Sequence, residues 1–178
     1  VNSMQVDCRN IQVGYGDAVV IDDMSITIEK DKITSIIGPN GSGKSTIAQL
    51  LNGLLTPSQG EILIGDHKIG VESKKRVAYL PDNSYLNSWM TVQQIVGYFT
   101  DFYEDFRPAV AYEMLERLDI SPKRKLKTLS KGNKEKVCLI LVMSRNAKLY
   151  VLDEPIAGVD PAARDYIIST IINNYNPD

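Results

Sequence analysis

The chain has 178 residues, 43% apolar and 24% charged, which suits one globular domain with a real core and excludes overall disorder. Its 20 Lys and Arg stand against 22 Asp and Glu, a formal charge of −2, so no global basic field holds nucleic acid and any phosphate must meet a local site. The longest unbroken apolar run, Val137 to Met143, falls far short of the roughly 20 residues that a membrane-spanning helix needs.

In chain order, Met4 to Val13 and Val19 to Ile28 carry the pattern of antiparallel strands joined by Gly14-Tyr15-Gly16-Asp17. The second alternates, with Met24, Ile26 and Ile28 on one face and Ser25 and Thr27 on the other. Ile33-Thr34-Ser35-Ile36-Ile37 is β-branched and apolar on both faces, which predicts a parallel strand buried between helices at the centre of a sheet. Gly60 to Gly70 reads as a hairpin turning at Gly65-Asp66. The only histidine, His67, falls in that turn with no metal-ligand spacing around it, as a surface residue would. Val77-Ala78-Tyr79-Leu80 before Pro81 predicts another short strand.

Between Thr91 and Leu118 the spacing is helical, with a new segment opened by Pro108, and the aromatic residues from Tyr98 to Tyr112 read as the core of a small helical subdomain. Lys123-Arg124-Lys125-Leu126-Lys127 reads as a solvated charge run. A helix from about Gly132 to Arg145, a strand from Lys148 to Leu152 and a last helix from about Pro161 to Tyr175 complete the chain. Cys8 and Cys138 lie far apart with no C-x-x-C, and read as reduced thiols of a cytosolic protein; no signal peptide is visible.

Gly38-Pro39-Asn40-Gly41-Ser42-Gly43-Lys44-Ser45 matches G-x-x-x-x-G-K-[ST] without a gap, between a predicted strand and a predicted helix from Thr46 to Asn52. Such a loop wraps phosphate oxygens with backbone N–H groups at a helix N-terminus. Lys44 then brings a charge to the β and γ phosphates, and the Ser45 hydroxyl a ligand for magnesium. Leu149-Tyr150-Val151-Leu152-Asp153-Glu154-Pro155 is an apolar strand ending in paired carboxylates, which has the form of a Walker B. A carboxylate at Asp153 suits the metal, and one at Glu154 suits polarising the water that attacks the γ-phosphate.

Leu129-Ser130-Lys131-Gly132-Asn133 lies between these motifs, and Ala157-Gly158-Val159-Asp160 follows them. In this order and over essentially the whole chain, the four motifs resemble the nucleotide-binding domain of ATP-binding cassette (ABC) transporters. The resemblance implies an α/β fold: a P-loop NTPase core with a mostly parallel sheet, an antiparallel β subdomain and an inserted α-helical subdomain over about 85–135. It implies one ATP-binding domain over 1–178, with ATP and Mg2+ as cofactors. Tyr15 looks like the aromatic that stacks on adenine, Gly38 to Thr46 like the cradle of the triphosphate, and Ser130 and Gly132 like the signature that meets the γ-phosphate on an opposite subunit.

Two departures stand out. Lys131 and Asn133 interrupt the usual L-S-G-G-Q, and Asp82, after Tyr79-Leu80-Pro81, stands where the family has Gln, within direct or water-mediated reach of the metal. Trp89-Met90-Thr91-Val92 and Asp101-Phe102-Tyr103 look like the bacterial subgroup that serves separate permeases of the ABC-2 export type. The expected partners are therefore a second ATP-binding subunit, identical or not, and a transmembrane permease, with no nucleic acid. The expected place is cytoplasmic, peripheral at the inner face of the cell membrane. The family's switch histidine is absent before Asp178 and His67 cannot replace it, so a C-terminally truncated domain with weakened hydrolysis is expected. The alternative reading is a soluble ATP-gated regulatory or dimerisation module of the same superfamily.

Overall fold

The computed structural model describes residues 4–16, 18–82, 86–155 and 159–174. The described residues divide into two units, one of residues 4–79 and Lys148–Asp153, the other of Leu80–Ala147 and Glu154–Asn174.

The first unit grows from the two alternating N-terminal segments. β1 (Val6–Tyr15) pairs antiparallel with β2 (Ala18–Ile28), from Val6↔Ile28 to Tyr15↔Ala18 with shifts in register between Cys8 and Gly14, so the predicted hairpin forms. The buried residues of β1 are Val6 and Cys8, then Ile11 and Val13, so the alternation slips once. The slip falls at Asn10, whose φ of 49° accompanies a shift in register. Without it Ile11 and Val13 would turn to the opposite face.

β3 (Gln59–Ile64) pairs antiparallel with β1 on its other edge, and β4 (His67–Lys68) pairs with β3, giving the order β2-β1-β3-β4. Gly60, at φ 90°, sits against the bulge. A Cβ there would stand 2.4 Å from the Asn10 carbonyl oxygen, so the position demands glycine. α1 (Lys44–Leu51) buries Ile47, Ala48, Leu50 and Leu51 in the same core as Val6, Ile11, Ile62 and Ile64. Full burial of one such Leu or Ile side chain contributes about 1.5–3 kcal/mol. α2 (Val71–Arg76), which the sequence reading did not single out, leads into β5 (Val77–Leu80). β5 pairs with β6 (Leu149–Leu152) in a second, parallel sheet, and the fold is mixed α/β as expected.

One expectation for this unit fails. Residues 33–37 form no strand, and Ile33, Ile36 and Ile37 are 54%, 40% and 92% exposed. Apolar residues on both faces describe what a strand would bury. The strand itself exists only through hydrogen bonds to a neighbour, and among the described residues none pairs with this run.

The second unit is helical. α3 (Val92–Phe102) starts at a capping box in which the Thr91 hydroxyl accepts from the Gln94 N–H while the Gln94 side chain accepts from the Thr91 N–H. α4 (Pro108–Arg117) opens on the proline that interrupted the helical pattern, at a position where its missing N–H costs nothing. Of the aromatic residues, Phe99 and Phe106 are buried. Tyr98 and Phe102 instead stack on each other at the surface, with centroids 5.9 Å apart, so the cluster is only partly core. Leu126 is buried within the basic run, and its charged neighbours are exposed as expected.

α5 (Lys131–Met143) is buried on all sides from Val137 onward, which accounts for the uninterrupted apolar run; no described helix is long and apolar enough to cross a membrane. Its C-terminal end is closed by Arg107, whose guanidinium donates to the Met143 and Arg145 carbonyls at 3.2 and 3.0 Å. The buried Arg145 guanidinium is matched by both Asp105 carboxylate oxygens, at 2.9 and 3.1 Å, and lies 4.0 Å from the centre of the Tyr103 ring. α6 (Pro161–Asn174) packs on α5 and buries Ala163 and Ile167.

Candidate functional site

The glycine-rich loop enters α1 through residues that tolerate a tight backbone. Gly43, at φ 93°, is the N-cap of α1 and offers no side chain to its N–H groups, and no acidic residue occupies the first turn. The helix therefore presents its N-terminal donors and positive dipole end without an internal anion. Gly38 is crowded: a Cβ there would stand 2.6 Å from the Ser42 Oγ. The Ser42 N–H donates to the Pro39 carbonyl at 3.2 Å and closes the loop on itself.

Lys44 completes the cradle. Its Nζ donates to the Gly38 and Pro39 carbonyls at 2.7 and 2.8 Å, so the ammonium is folded back across the loop. Sequence reasoning missed this contact, because no local pattern reports which acceptors a lysine finds. Ser45 is exposed and Thr46 half-buried, with Pro39, Asn40, Gly41 and Ser42 at the surface. An exposed hydroxyl, an ammonium laid across the loop and uncapped helix N–H groups together can hold a polyphosphate and a hard cation. Tyr15 ends β1, and its ring lies outside what is described.

Asp153 follows β6 and is half-buried; β6 packs on α1, so the first unit carries both Asp153 and the glycine-rich loop. The next residue, Glu154, belongs to the second unit, is exposed, and takes a left-handed backbone with φ 48°. The chain thus turns directly after Asp153, between the two carboxylate-bearing residues. No cluster of three or more His, Cys, Asp or Glu side chains suited to a metal occurs among the described residues. One hydroxyl, one carboxylate and phosphate oxygens suffice for Mg2+.

The second unit also carries Asp82, which is exposed, and the signature-like segment. Ser130 is the N-cap of α5, its Oγ accepting from the Asn133 N–H at 3.2 Å, and Gly132 lies in the first turn. The Lys131 side chain is 92% exposed, with its Nζ 3.8 Å from Glu135. Asp160 accepts from Lys136 Nζ at 2.5 Å and from the Ala163 N–H at 2.9 Å. These two donors, the lysine first, hold its carboxyl below the usual carboxylate range. Ala157 and Gly158 lie outside the described residues.

The ABC transporter family pattern matches residues 21–157. The chain is 30% identical over 175 residues to the Nod factor export ATP-binding protein I of Bradyrhizobium diazoefficiens, covering 94% of this chain and 57% of that protein. It is 33% identical over 169 residues to the petrobactin import ATP-binding protein YclP of Bacillus subtilis, covering 87% of this chain and 66% of that protein. It thus spans about three fifths of the length of these curated relatives. A solved ATP-binding subunit of an ABC transporter superposes with a TM-score of 0.85 at 25% identity, over 96% of this chain and 74% of the other.

Proposed function

Because the chain belongs to the ABC transporter family, we propose that it is the ATP-binding and ATP-hydrolysing part of a membrane transporter, in which ATP-driven pairing of two such subunits is coupled to movement of a substrate through a separate permease. The observation that carries this reading is the loop of residues 38–45, closed on itself and presenting an uncapped helix start with a lysine ammonium laid across it. We place transport on the export side, supported by the resemblance at residues 89–92 and 101–103 and by the Nod factor export relative. The petrobactin import relative is as similar, so identifying the permease with which this chain assembles is the test of direction.

In this reading the backbone N–H groups of Gly38 to Thr46 hold the β and γ phosphates, and the Lys44 ammonium exchanges its two carbonyl partners for phosphate oxygens. Tyr15 stacks on the adenine ring. Ser45 and Asp153, with Asp82 directly or through water, would hold Mg2+, which neutralises charge on the phosphates when bound. Glu154 takes the proton of the attacking water. Ser130 and Gly132 present the start of α5 to the γ-phosphate bound by a second copy or a homologous subunit. Lys44 and Glu154 are thus the catalytic residues, one stabilising phosphate charge and the other acting as base. The subunit sits at the cytoplasmic face of the membrane through the permease.

The experiment uses the protein at its natural length. Glu154→Gln removes the base and keeps a side chain of the same shape, so ATP accumulates unhydrolysed and holds two subunits together. Light scattering should report a dimer that depends on Mg-ATP, and Ser130→Arg in the same background should abolish it. A Glu154→Gln protein that binds ATP yet stays monomeric with and without the permease refutes the split site.

A further inference from the structure

Lys136 is 8% exposed, a rare state for a lysine, and among the described residues Asp160 is the carboxylate that matches it. It stands one helical turn after Gly132, on the same face of α5. Asp160 is anchored in turn. Its second oxygen accepts the Ala163 N–H in the first turn of α6, and Val159 and Ala163 on either side are buried. The pair therefore joins two fixed elements, unlike a surface bridge between two free side chains. One element begins with Ser130 and Gly132, and the other follows Glu154 along the chain.

We infer that Lys136 is a positioning residue: through Asp160 it ties the helix start offered to a second subunit's nucleotide to the segment that carries this subunit's own Glu154. A shift at either element is passed to the other through one ion pair whose lysine is buried, so engagement of the signature and placement of the base become one event. This rests on the roles proposed for Ser130 and Glu154.

The test compares Lys136→Met, Asp160→Asn and Lys136→Arg in the protein at its natural length, with Glu154→Gln alongside. Asp160→Asn keeps an acceptor for the Ala163 N–H and serves if Lys136→Met folds poorly. ATP affinity should stay unchanged in both, because the glycine-rich loop is untouched, while turnover falls by roughly tenfold to a hundredfold. Lys136→Arg should restore turnover. The double variant Lys136→Met/Asp160→Asn should recover thermal stability, since no unmatched charge remains buried, and yet keep the low turnover. Recovery of both would make the pair merely structural and overturn the inference. So would full turnover in a folded Lys136→Met or Asp160→Asn, or a loss of ATP affinity equal to the loss of turnover. If Glu154→Gln hydrolyses ATP normally, the underlying reading falls and the coupling with it; if it is inactive and Lys136→Met is not, only the coupling is wrong.

Discussion

Replacing Glu154 by glycine should make the protein more stable while abolishing the ATP hydrolysis proposed for it. Glu154 holds φ at 48°, where an L side chain brings Cβ against the following carbonyl at a cost of about 1–2 kcal/mol. Glycine escapes that cost but gains freedom in the unfolded chain, worth about 0.4–1 kcal/mol in the opposite direction. The net gain is roughly 0.5–1 kcal/mol. The Glu154 side chain is exposed, so its removal adds little else, within about 0.5 kcal/mol. The informative control is Glu154→Ala, which deletes the carboxylate and keeps the strained Cβ. Thermal unfolding followed by circular dichroism should place Glu154→Gly about 1 to 4 °C above Glu154→Ala, given the usual conversion for a domain of this size. Glu154→Gln should melt with the alanine variant. A glycine variant that melts at or below the alanine variant would show that the backbone there is not strained.

Lys44→Ala should lower affinity for ATP by about 2 kcal/mol, or roughly thirtyfold, because a charge-assisted contact to the terminal phosphates is lost. AMP, which does not reach the ammonium, should bind equally to both proteins in calorimetric titration, and an equal loss for AMP would mean that the substitution had collapsed the loop that Lys44 also braces through Gly38 and Pro39. Cys8 is buried, and that burial pushes its thiol from 9.0 up to about 11. At pH 8 its alkylation by iodoacetamide should be about a hundredfold slower than that of a free thiol until the protein is unfolded, and rapid labelling of the native protein would contradict its placement inside the first sheet's core.

The parts legible in the sequence are those whose cause is local. The alternation of Met24, Ile26 and Ile28 announces β2, Pro108 marks the start of α4, and the glycine-rich loop announces α1 through the backbone that its phosphate-binding role requires. The run from Ile33 to Ile37 misled for the converse reason: its composition states what a strand would bury, and pairing is a property of a second segment. The bulge at Asn10 escaped notice because the slip from Cys8 to Ile11 looks like an ordinary imperfection until Gly60 is seen to fit against it. The Lys136 pair was invisible for a similar reason. A lysine beside the apolar run of α5 reads as solvated unless Asp160, just before another helix, is known to reach it.

The left-handed residues of the chain separate structure from function. Besides glycines, the described residues with positive φ are Asn10, Asp23, Asp31, Asp119 and Glu154. Asn and Asp tolerate this region because a short polar side chain bonds to nearby groups, and Asn10, Asp23 and Asp119 have structural employment. The Asn10 side chain donates to Asp23 at 2.9 Å across the bulge, and Asp119 follows the end of α4, where a left-handed residue closes a helix. Glu154 has neither excuse: its side chain is longer by a methylene, exposed, and set after a strand. A glycine or asparagine would satisfy the same backbone at less cost. The proposed role asks for a carboxylate at this position, and the backbone that carries it turns left-handed at φ 48° directly after Asp153. In the proposed reaction one carboxylate must meet the metal and the other the water, and the strain at Glu154 is the local cost of that division.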